Sequence, residues 1–202
     1  MRAVRTLRPF LALVVAAALA ACAQAPQAPK RPMTADYEPS VGQEGKDVVW
    51  VPSPGAMVKA MLDLAEVTED DYLVDLGSGD GRTVIAAALR GARAHGVEYD
   101  ADLVEVSRRR AQAAGVAGRA SFEKEDLFRT DLSRATVVTL FLLPDINLEL
   151  RPRLLELKPG TRIVSNTFDM GDWHPDASVT LTDEADECDS WCTAMLWIVP
   201  AK

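Results

Sequence analysis

Two patterns of apolar residues alternate along the chain from residue 52 to residue 168. Short apolar runs, each bounded by polar or turn-forming residues, are typical of buried β-strands. Five such runs occupy 71–77, 92–100, 119–126, 135–143 and 161–168. Between them, apolar residues recur three and four positions apart, which predicts amphipathic helices. The four helical stretches are 53–67, 81–91, 100–116 and 145–160.

Particular residues predict where these helices begin and end. Ser53 is the expected N-cap of the first helix, with Pro54 at its first helical position. Asp100 or Asp102 is expected to cap the third helix. The fourth stretch contains Pro152, which lacks a backbone donor, so we expect the helix to break near it.

The end of the chain has a different pattern. Residues 177–200 contain two strand-like runs joined by an acidic, turn-rich link, with no helical periodicity. This pattern predicts a hairpin, whereas strands that alternate with helices form a mostly parallel sheet. We therefore predict an α/β, Rossmann-like fold: a seven-stranded, mostly parallel sheet with helices on both faces and a C-terminal antiparallel hairpin.

The composition is that of a globular protein with an acidic surface. The chain has 202 residues, of which 48% are hydrophobic and 26% charged, and its formal net charge is −8. This length favours one folded domain. An acidic surface repels phosphate backbones, so the charge argues against non-specific nucleic-acid binding. It is compatible with a cationic protein partner, and it also serves solubility.

The first 22 residues have the pattern of an export signal. Three arginines precede an apolar, uncharged run from Phe10 to Ala21, which is too short to cross a bilayer of about 30 Å as a helix. Such a run, followed by small residues, is typical of a secretory signal peptide. The sequence "LAAC" at 19–22 also resembles the lipobox of bacterial lipoproteins, which implies a lipid anchor on Cys22 and an exported, membrane-anchored protein.

Two other interpretations of the N-terminus stay open. Cleavage after Ala25 would discard Cys22, and a translation start at Met33 would give a cytoplasmic protein. Residues 23–47 are rich in Pro, Ala and Gln and lack apolar periodicity, which predicts a flexible tether. The predicted organisation is a signal peptide over 1–22, the tether over 23–47 and a folded domain over 48–202.

The two remaining cysteines, Cys188 and Cys192, stand close together near the C-terminus. Neither histidine of the chain, His95 or His174, has metal-ligand spacing to them, so we predict no metal site. In an exported protein the pair would form a disulfide. Two unrelated thiols in the hairpin are the alternative.

Three glycines follow the first predicted strand in "VDLGSGDGR", residues 74–82. In open α/β sheets, ligands bind beyond the carboxyl ends of the strands, and glycine lets the backbone approach a ligand closely. A dinucleotide-binding fingerprint, G-x-G-x-x-G, would need its third glycine where Arg82 stands, which disfavours a nicotinamide-dependent oxidoreductase. The observed pattern is D-x-G-x-G-x-G from Asp75 to Gly81; a tight turn without a ligand is the alternative.

This segment resembles motif I of class I S-adenosylmethionine-dependent methyltransferases. The resemblance implies S-adenosyl-L-methionine as the cofactor, with the glycine loop beside its methionine part and Asp75 organising that loop. It also implies that Glu98, which closes the second strand, binds the ribose hydroxyls and that Asp126, after the third strand, meets the adenine amine. The cofactor-binding residues predicted in this way are Asp75, Gly77, Ser78, Gly79, Gly81, Glu98, Asp126 and Leu127.

Four further segments resemble one subgroup of these enzymes. They are "VWVPSP" (49–54), "FLLPDINLELRPRLL" (141–155), "LKPGTRIVS" (157–165) and "FDMGDWHPD" (168–176). The subgroup is the protein-lysine methyltransferase family that includes the mitochondrial enzymes acting on the ATP synthase c-subunit and the adenine nucleotide translocase. The resemblance, over about residues 48–200, implies methyl transfer to a lysine amine of a protein substrate. A small-molecule methyltransferase and a non-catalytic, tethered binding module are the alternatives.

Methyl transfer to lysine makes chemical demands on the pocket. A lysine amine has a pKa of about 10.4, so the site must desolvate it to favour loss of its proton. Asp145 and Asn147, just beyond the fourth strand, are the predicted catalytic acceptors for the amine, with helix capping as the alternative. Aromatic walls suit the alkyl stem and the methylammonium product, and Trp50 is the third predicted catalytic residue. The other aromatic candidates, with core packing as their alternative, are Phe141, Phe168 and Trp173.

Overall fold

The computed structural model describes residues 37–182, Cys188 and 190–201. The predicted signal peptide, the lipobox with Cys22 and the first part of the predicted tether therefore lie outside the described residues. Within the described part of the chain, no helix is long and apolar enough to span a membrane.

The described residues form four helices and seven strands, and each corresponds to a stretch predicted from the sequence. The helices are α1 Gly55–Leu64, α2 Arg82–Leu89, α3 Ala101–Ala113 and α4 Pro144–Leu155. The strands are β1 Tyr72–Leu76, β2 Arg93–Glu98, β3 Ala120–Lys124, β4 Val137–Leu140, β5 Arg162–Asn166, β6 Ala177–Thr180 and β7 Thr193–Ile198.

These seven strands belong to one sheet, in the order β3-β2-β1-β4-β5-β7-β6. Strands β1 to β5 pair in parallel, whereas β7 runs antiparallel to both β5 and β6. The predicted α/β, Rossmann-like fold with its C-terminal hairpin is confirmed. Because the chain reverses its direction of winding between β1 and β4, the carboxyl ends of these strands are the expected place for a ligand.

The sheet separates two apolar cores, which explains why its central strands are apolar on both faces. In β1, Leu73 packs with the core under α1, α2 and α3, while Val74 and Leu76 face the opposite core. Helix α4 contributes Leu150 and Leu154 to that second core, and both are fully buried. The helices therefore cover both faces of the sheet, as predicted.

The predicted start of the first helix is wrong. Helix α1 begins at Gly55, so Pro54 is its N-cap rather than its first helical residue, and no side chain of the described residues caps it. The Ser53 hydroxyl instead accepts a hydrogen bond of 3.1 Å from the Asn166 amide nitrogen at the end of β5. Tertiary contact thus takes the place of the cap predicted from local sequence.

Of the two other predictions about helix ends, the one for α3 is confirmed and the one for α4 is wrong. Asp100 caps α3, because its carboxylate accepts from the Asp102 backbone nitrogen at 2.8 Å. The predicted break at Pro152 is wrong, since α4 continues through it. A proline costs a helix one backbone hydrogen bond, and the burial of Leu150 and Leu154 offsets that loss.

The last part of the predicted tether lies against the domain. The Gly42 nitrogen donates to the Trp50 carbonyl (2.8 Å), and the Trp50 nitrogen donates to the Gln43 carbonyl (2.9 Å). Arg109 of α3 reaches back to the Tyr37 carbonyl at 2.9 Å. Described residues before position 48 therefore contact the domain; residues 42–53, which fold back in this way, are called the strap below.

Candidate active site

A cavity of about 430 Å³ opens at the carboxyl ends of the parallel strands, a volume that suits a small-molecule ligand. The three acids predicted to bind a cofactor, Asp75, Glu98 and Asp126, all line it. They come from β1, from the end of β2 and from the turn after β3. The structure thus brings together three carboxylates that are far apart in the sequence. The other predicted cofactor residues that line the cavity are Gly77, Ser78, Gly79 and Leu127.

Gly79, at the centre of the glycine loop, is held from three sides. Its nitrogen donates to a Glu98 carboxylate oxygen (2.9 Å), and its carbonyl accepts from the Ser107 hydroxyl of α3 (2.9 Å). The Trp50 indole of the strap lies so close that a Cβ at position 79 would be 2.5 Å from its nitrogen. With φ at +53°, this position favours glycine on both steric and conformational grounds.

Gly81, the last predicted glycine, is not among the cavity-lining residues. A Cβ there would lie 2.8 Å from both the Phe122 ring and the Ser107 Cβ. Its role is therefore the close packing of the start of α2 against α3 and β3.

Asp75 is the most perturbed ionisable group at the site. Its side chain is only 6% exposed, and the Thr139 hydroxyl donates to one of its oxygens at 2.6 Å. Burial raises the pKa of Asp75 to about 7; the Thr139 hydrogen bond opposes this rise, and the negative charges of Glu98 and Asp80 add to it. The site therefore disfavours a second negative charge and would gain from a cation beside Asp75.

Asp80 is a buried acid that the sequence analysis missed. It is 1% exposed and forms ion pairs with Arg82, at 2.7 Å, and with Arg110 of α3. Burial alone would raise the pKa of Asp80, but the hydrogen bonds and charges of these arginines lower it overall. Arg82 also donates to the Ser53 carbonyl at 2.7 Å. The arginine that breaks the dinucleotide fingerprint thus joins the glycine loop to the strap.

Glu98 is fixed by two backbone amides. One carboxylate oxygen accepts from Gly79, as above, and the other accepts from the Asp100 nitrogen at 2.9 Å. Each oxygen of an ionised carboxylate can accept more than one hydrogen bond. The carboxylate is therefore held in place at the cavity wall with acceptor capacity for ligand hydroxyls.

Asp126 lies in the turn after β3, the outermost of the parallel strands. The Phe128 nitrogen donates to it at 3.0 Å, and the Lys46 ammonium of the strap donates at 3.1 Å. These two interactions, in that order, lower the pKa of Asp126. Lys46 also lies 5.0 Å from the centre of the Tyr99 ring. Both Lys46 and Tyr99 line the cavity, and neither was predicted, because nothing in the local sequence links them to Asp126.

The Ser78 hydroxyl is buried and has no hydrogen-bond partner among the described residues, whereas buried polar groups are normally paired. It packs against Gly96, where a Cβ would lie 2.7 Å from it, so the hydroxyl does not face the cavity. The bare backbone at Gly77 and Gly79 and the three acids fit a polar nucleoside-type cofactor. The part of the chain that the structure describes contains no group of His, Cys, Asp or Glu arranged to hold a metal ion.

Aromatic rings form another part of the cavity wall. Trp50, Phe141 and Phe168 line it as predicted, and Phe141 stacks on Phe168 with 6.2 Å between ring centres. Trp191, which the sequence analysis missed, lies edge-on to Phe141 at 6.0 Å. Trp173 does not line the cavity.

Trp173 and Trp197 pack together in the core beneath α4. Their ring centres are 6.3 Å apart, and the Trp197 indole donates to the Trp173 carbonyl at 2.6 Å. Trp173 therefore has the core-packing role that was its alternative.

Asp145 and Asn147, the predicted acceptors for the amine, are not among the cavity-lining residues. Both lie in the first turn of α4, where Leu143 and Ile146 take the positions facing the cavity. Since successive helical residues are rotated by about 100°, Asp145 is directed to solvent and Asn147 to the interior.

Asn147 is fully buried and holds the loop after β5. Its amide nitrogen donates to the carbonyls of Phe168 (3.0 Å) and Asp169 (3.3 Å). It therefore positions the Phe168 ring at the cavity rather than touching a ligand there.

Comparison with known proteins agrees with this geometry. The family model of the ANTKMT methyltransferase domain matches residues 75–177. A protein-lysine N-methyltransferase of Saccharolobus islandicus is 43% identical over 139 residues, which are 67% of this chain and 86% of that protein. The lysine N-methyltransferase of the ATP synthase c-subunit from Mus musculus is 44% identical over 105 residues, which are 52% of this chain but only 42% of the mouse protein.

A solved structure extends the comparison to the cofactor. It is described as an RNA methyltransferase from Salinibacter ruber in complex with S-adenosyl-L-homocysteine, the demethylated form of the cofactor. It is 51% identical with a TM-score of 0.69, over 75% of this chain and 95% of that one. Together with the family match over half of the chain, these relatives show that the chain belongs to the ANTKMT methyltransferase domain family and is an S-adenosyl-L-methionine-dependent methyltransferase.

Proposed function

We propose that this methyltransferase acts on the lysine amines of a polypeptide. The observation that carries the proposal is the order of side chains along the carboxyl edge of the sheet. Reading across neighbouring strands, this order is Asp126, Glu98, Asp75, Phe141, Phe168 and Trp191. The cavity therefore has a carboxylate half on β3, β2 and β1 and an aromatic half on β4, β5 and β7.

The carboxylate half suits the cofactor, which supplies an electrophilic methyl group on a positively charged sulfonium. Glu98 would accept from the ribose hydroxyls and Asp126 from the adenine amine, as the resemblance to motif I implies. Asp75 would face the cationic methionine part and become ionised beside it. These carboxylates bind and orient; none of them needs to react.

The aromatic half suits an alkyl amine. At pH 7 only about one lysine amine in a few thousand is neutral, and apolar walls raise that fraction because they desolvate the ammonium. Solvent takes one proton from the lysine ammonium. The neutral nitrogen would then attack the methyl carbon that the bound cofactor supplies, and the carbon–sulfur bond would break with its electron pair on sulfur, leaving a charged methylammonium. The faces of Phe141 and Phe168 can then accommodate the methylammonium product.

The charge around the cavity favours a cationic acceptor over a nucleic acid. Asp47 lines the cavity, and the exposed Asp145 and Asp169 each stand next to a lining residue. With a net charge of −8, the chain would repel an RNA backbone. The description of the Salinibacter relative nevertheless favours RNA as the second candidate acceptor, so both are compared directly.

Methyl transfer from radiolabelled cofactor distinguishes the acceptors. The purified chain is incubated with a cell extract, with the same extract after acetylation of its amines, and with the extract's purified RNA. We expect label in protein, loss of that label after acetylation because the lysine nitrogen is blocked, and none in RNA. Label in RNA, or label in protein that survives acetylation, would contradict the proposal.

The same assay tests whether the charge of Asp145 attracts the acceptor. Asp145→Asn should raise the KM for the protein acceptor about 2- to 5-fold, since a carboxylate near the cavity attracts a cationic substrate. Glu149→Gln, on the exposed side of the same helix, is the matched control and should leave KM unchanged.

Asp75 couples cofactor binding to pH. Its pKa is raised in the folded protein, so the folded state holds a proton that the unfolded state releases as pH rises from about 4 to 7. The free energy of unfolding of the cofactor-free protein should therefore fall across this interval. Affinity for the cationic cofactor should rise as pH increases through about 7.

Asp75→Asn removes both effects while keeping an oxygen that accepts from Thr139. At pH 8 the variant should be more stable than the wild type, by at most about 4 kcal/mol given the pKa of about 7, yet bind cofactor more weakly. Denaturant unfolding and calorimetric titration at pH 6 and pH 8 measure the two quantities. A wild-type cofactor affinity that does not change with pH would contradict the assignment.

We also propose that the chain is exported and carries lipid on Cys22. The arginine-apolar-LAAC pattern of residues 1–22 supports this, and so does the disulfide between Cys188 and Cys192 in the structure, because disulfides persist mainly in oxidising compartments. Mass analysis of the protein from its native cells should find an N-terminal, lipidated Cys22. A chain that begins at Pro26 or Met33 would contradict the lipid anchor.

A further inference from the structure

Trp191 lies in a segment closed by a disulfide, unlike Phe141 and Phe168, the other two rings of the aromatic wall. It stands directly before Cys192, which is bonded to Cys188. Phe141 and Phe168, by contrast, follow the ends of β4 and β5. Trp191 lines the cavity, and its ring centre is 6.0 Å from that of Phe141.

The backbone of Trp191 is held in an unfavourable conformation. Its φ is +60°, and Thr167, directly before Phe168, has a φ of +67°. For residues other than glycine, this region costs about 1–3 kcal/mol, and such residues cluster at functional sites. Both of these residues set the direction of a ring in the same aromatic wall.

Several contacts hold the segment that carries Trp191. The Cys192 carbonyl accepts from the Leu181 nitrogen at 2.9 Å, and the Thr193 carbonyl accepts from the Thr167 nitrogen at 2.6 Å. Cys188 and Cys192 both pack against the apolar core under α1. The disulfide ties Cys188 to Cys192, whose carbonyl is held by Leu181. It therefore limits the positions that Trp191 can occupy.

Packing of the core does not explain Trp191, because its side chain is 45% exposed. The tryptophans with clear core roles, Trp173 and Trp197, lie together elsewhere. An exposed indole beside two further rings is instead typical of a surface that binds a cationic alkyl group, since an ammonium within about 6 Å of a ring centre is attracted to its face.

We propose that Trp191 is a specificity-determining residue for the alkylammonium group of the acceptor, and that the Cys188–Cys192 disulfide positions it. This inference rests on the proposed lysine acceptor. Trp191 forms the outer end of a wall in which Phe141 is the middle ring and Phe168 the other end. The acceptor stem would lie along this wall, with Trp191 contacting the charged end as it enters and leaves.

Binding of a small cation tests the inference without catalysis. The protein, saturated with S-adenosyl-L-homocysteine, is titrated with N-acetyl-trimethyllysine amide and with its neutral isostere, in which carbon replaces the charged nitrogen. The wild type should bind the charged compound about 5-fold more tightly than the neutral one, because only the cation gains from the ring faces.

Substitutions assign this preference to Trp191. Trp191→Ala should abolish most of the preference for the charged compound, whereas Trp191→Phe should retain part of it. Ile198→Ala is the matched control, because Ile198 is equally exposed at 44% but does not line the cavity. It should bind both compounds like the wild type.

The double variant Cys188→Ser, Cys192→Ser tests the disulfide. It should lose the preference for the charged compound as Trp191→Ala does, while binding S-adenosyl-L-homocysteine with unchanged affinity. In the methylation assay, Trp191→Ala should raise the acceptor KM about 5-fold and change kcat less than 2-fold, since the cation–π contact it loses acts on binding of the acceptor.

The outcomes separate this inference from the proposed function. If lysines are methylated but Trp191→Ala binds the charged compound like the wild type, the inference is overturned and the function stands. If the double cysteine variant keeps the preference that Trp191→Ala loses, the role of the disulfide alone is overturned. Label in RNA rather than lysine, with no binding of either compound, would overturn the function and the inference together.

Discussion

The site depends on the close approach of three segments to the bare backbone of Gly79. Glu98 accepts from its nitrogen, Ser107 donates to its carbonyl and the Trp50 indole covers its Cα. A side chain at this position would clash with the Trp50 indole and push the strap away from the glycine loop. The strap can therefore close over the glycine loop because Gly79 has no Cβ, and this contact joins the strap to the sheet.

Strand order then divides the cavity by chemistry. Carboxylates lie at or just beyond the carboxyl ends of the parallel strands β3, β2 and β1, whereas aromatic rings lie just beyond β4 and β5 and just before the antiparallel β7 at the same edge. A cationic nucleoside cofactor binds best among carboxylates, whereas an alkyl amine is desolvated by apolar rings. The strand order places these two environments side by side. Methyl transfer needs such adjacency more than it needs a reactive side chain, because most of its catalysis is orientation and exclusion of water.

The sequence predicted the features that depend on neighbouring residues in the chain. Asp75, Glu98 and Asp126 were predicted from the resemblance to motif I and from their positions near the ends of strands, and parallel strands bring their carboxyl ends to one edge. The failures arose where contacts between distant segments decide. Trp191 reaches Phe141 only through the pairing of β7 with β5, and Lys46 reaches Asp126 only because the strap folds back. Asp145 and Asn147 were predicted at the cavity without knowledge of the helical phase, which turns Leu143 and Ile146 toward the cavity instead.

A crystal structure of the chain with S-adenosyl-L-homocysteine tests the division of the cavity most directly. The account predicts the ribose hydroxyls within hydrogen-bonding distance of Glu98, the adenine amine at Asp126 and the sulfur directed toward Phe141, just after β4. A ligand whose adenine lies against the rings of Phe141 and Phe168, or whose ribose makes no contact with Glu98, would contradict it.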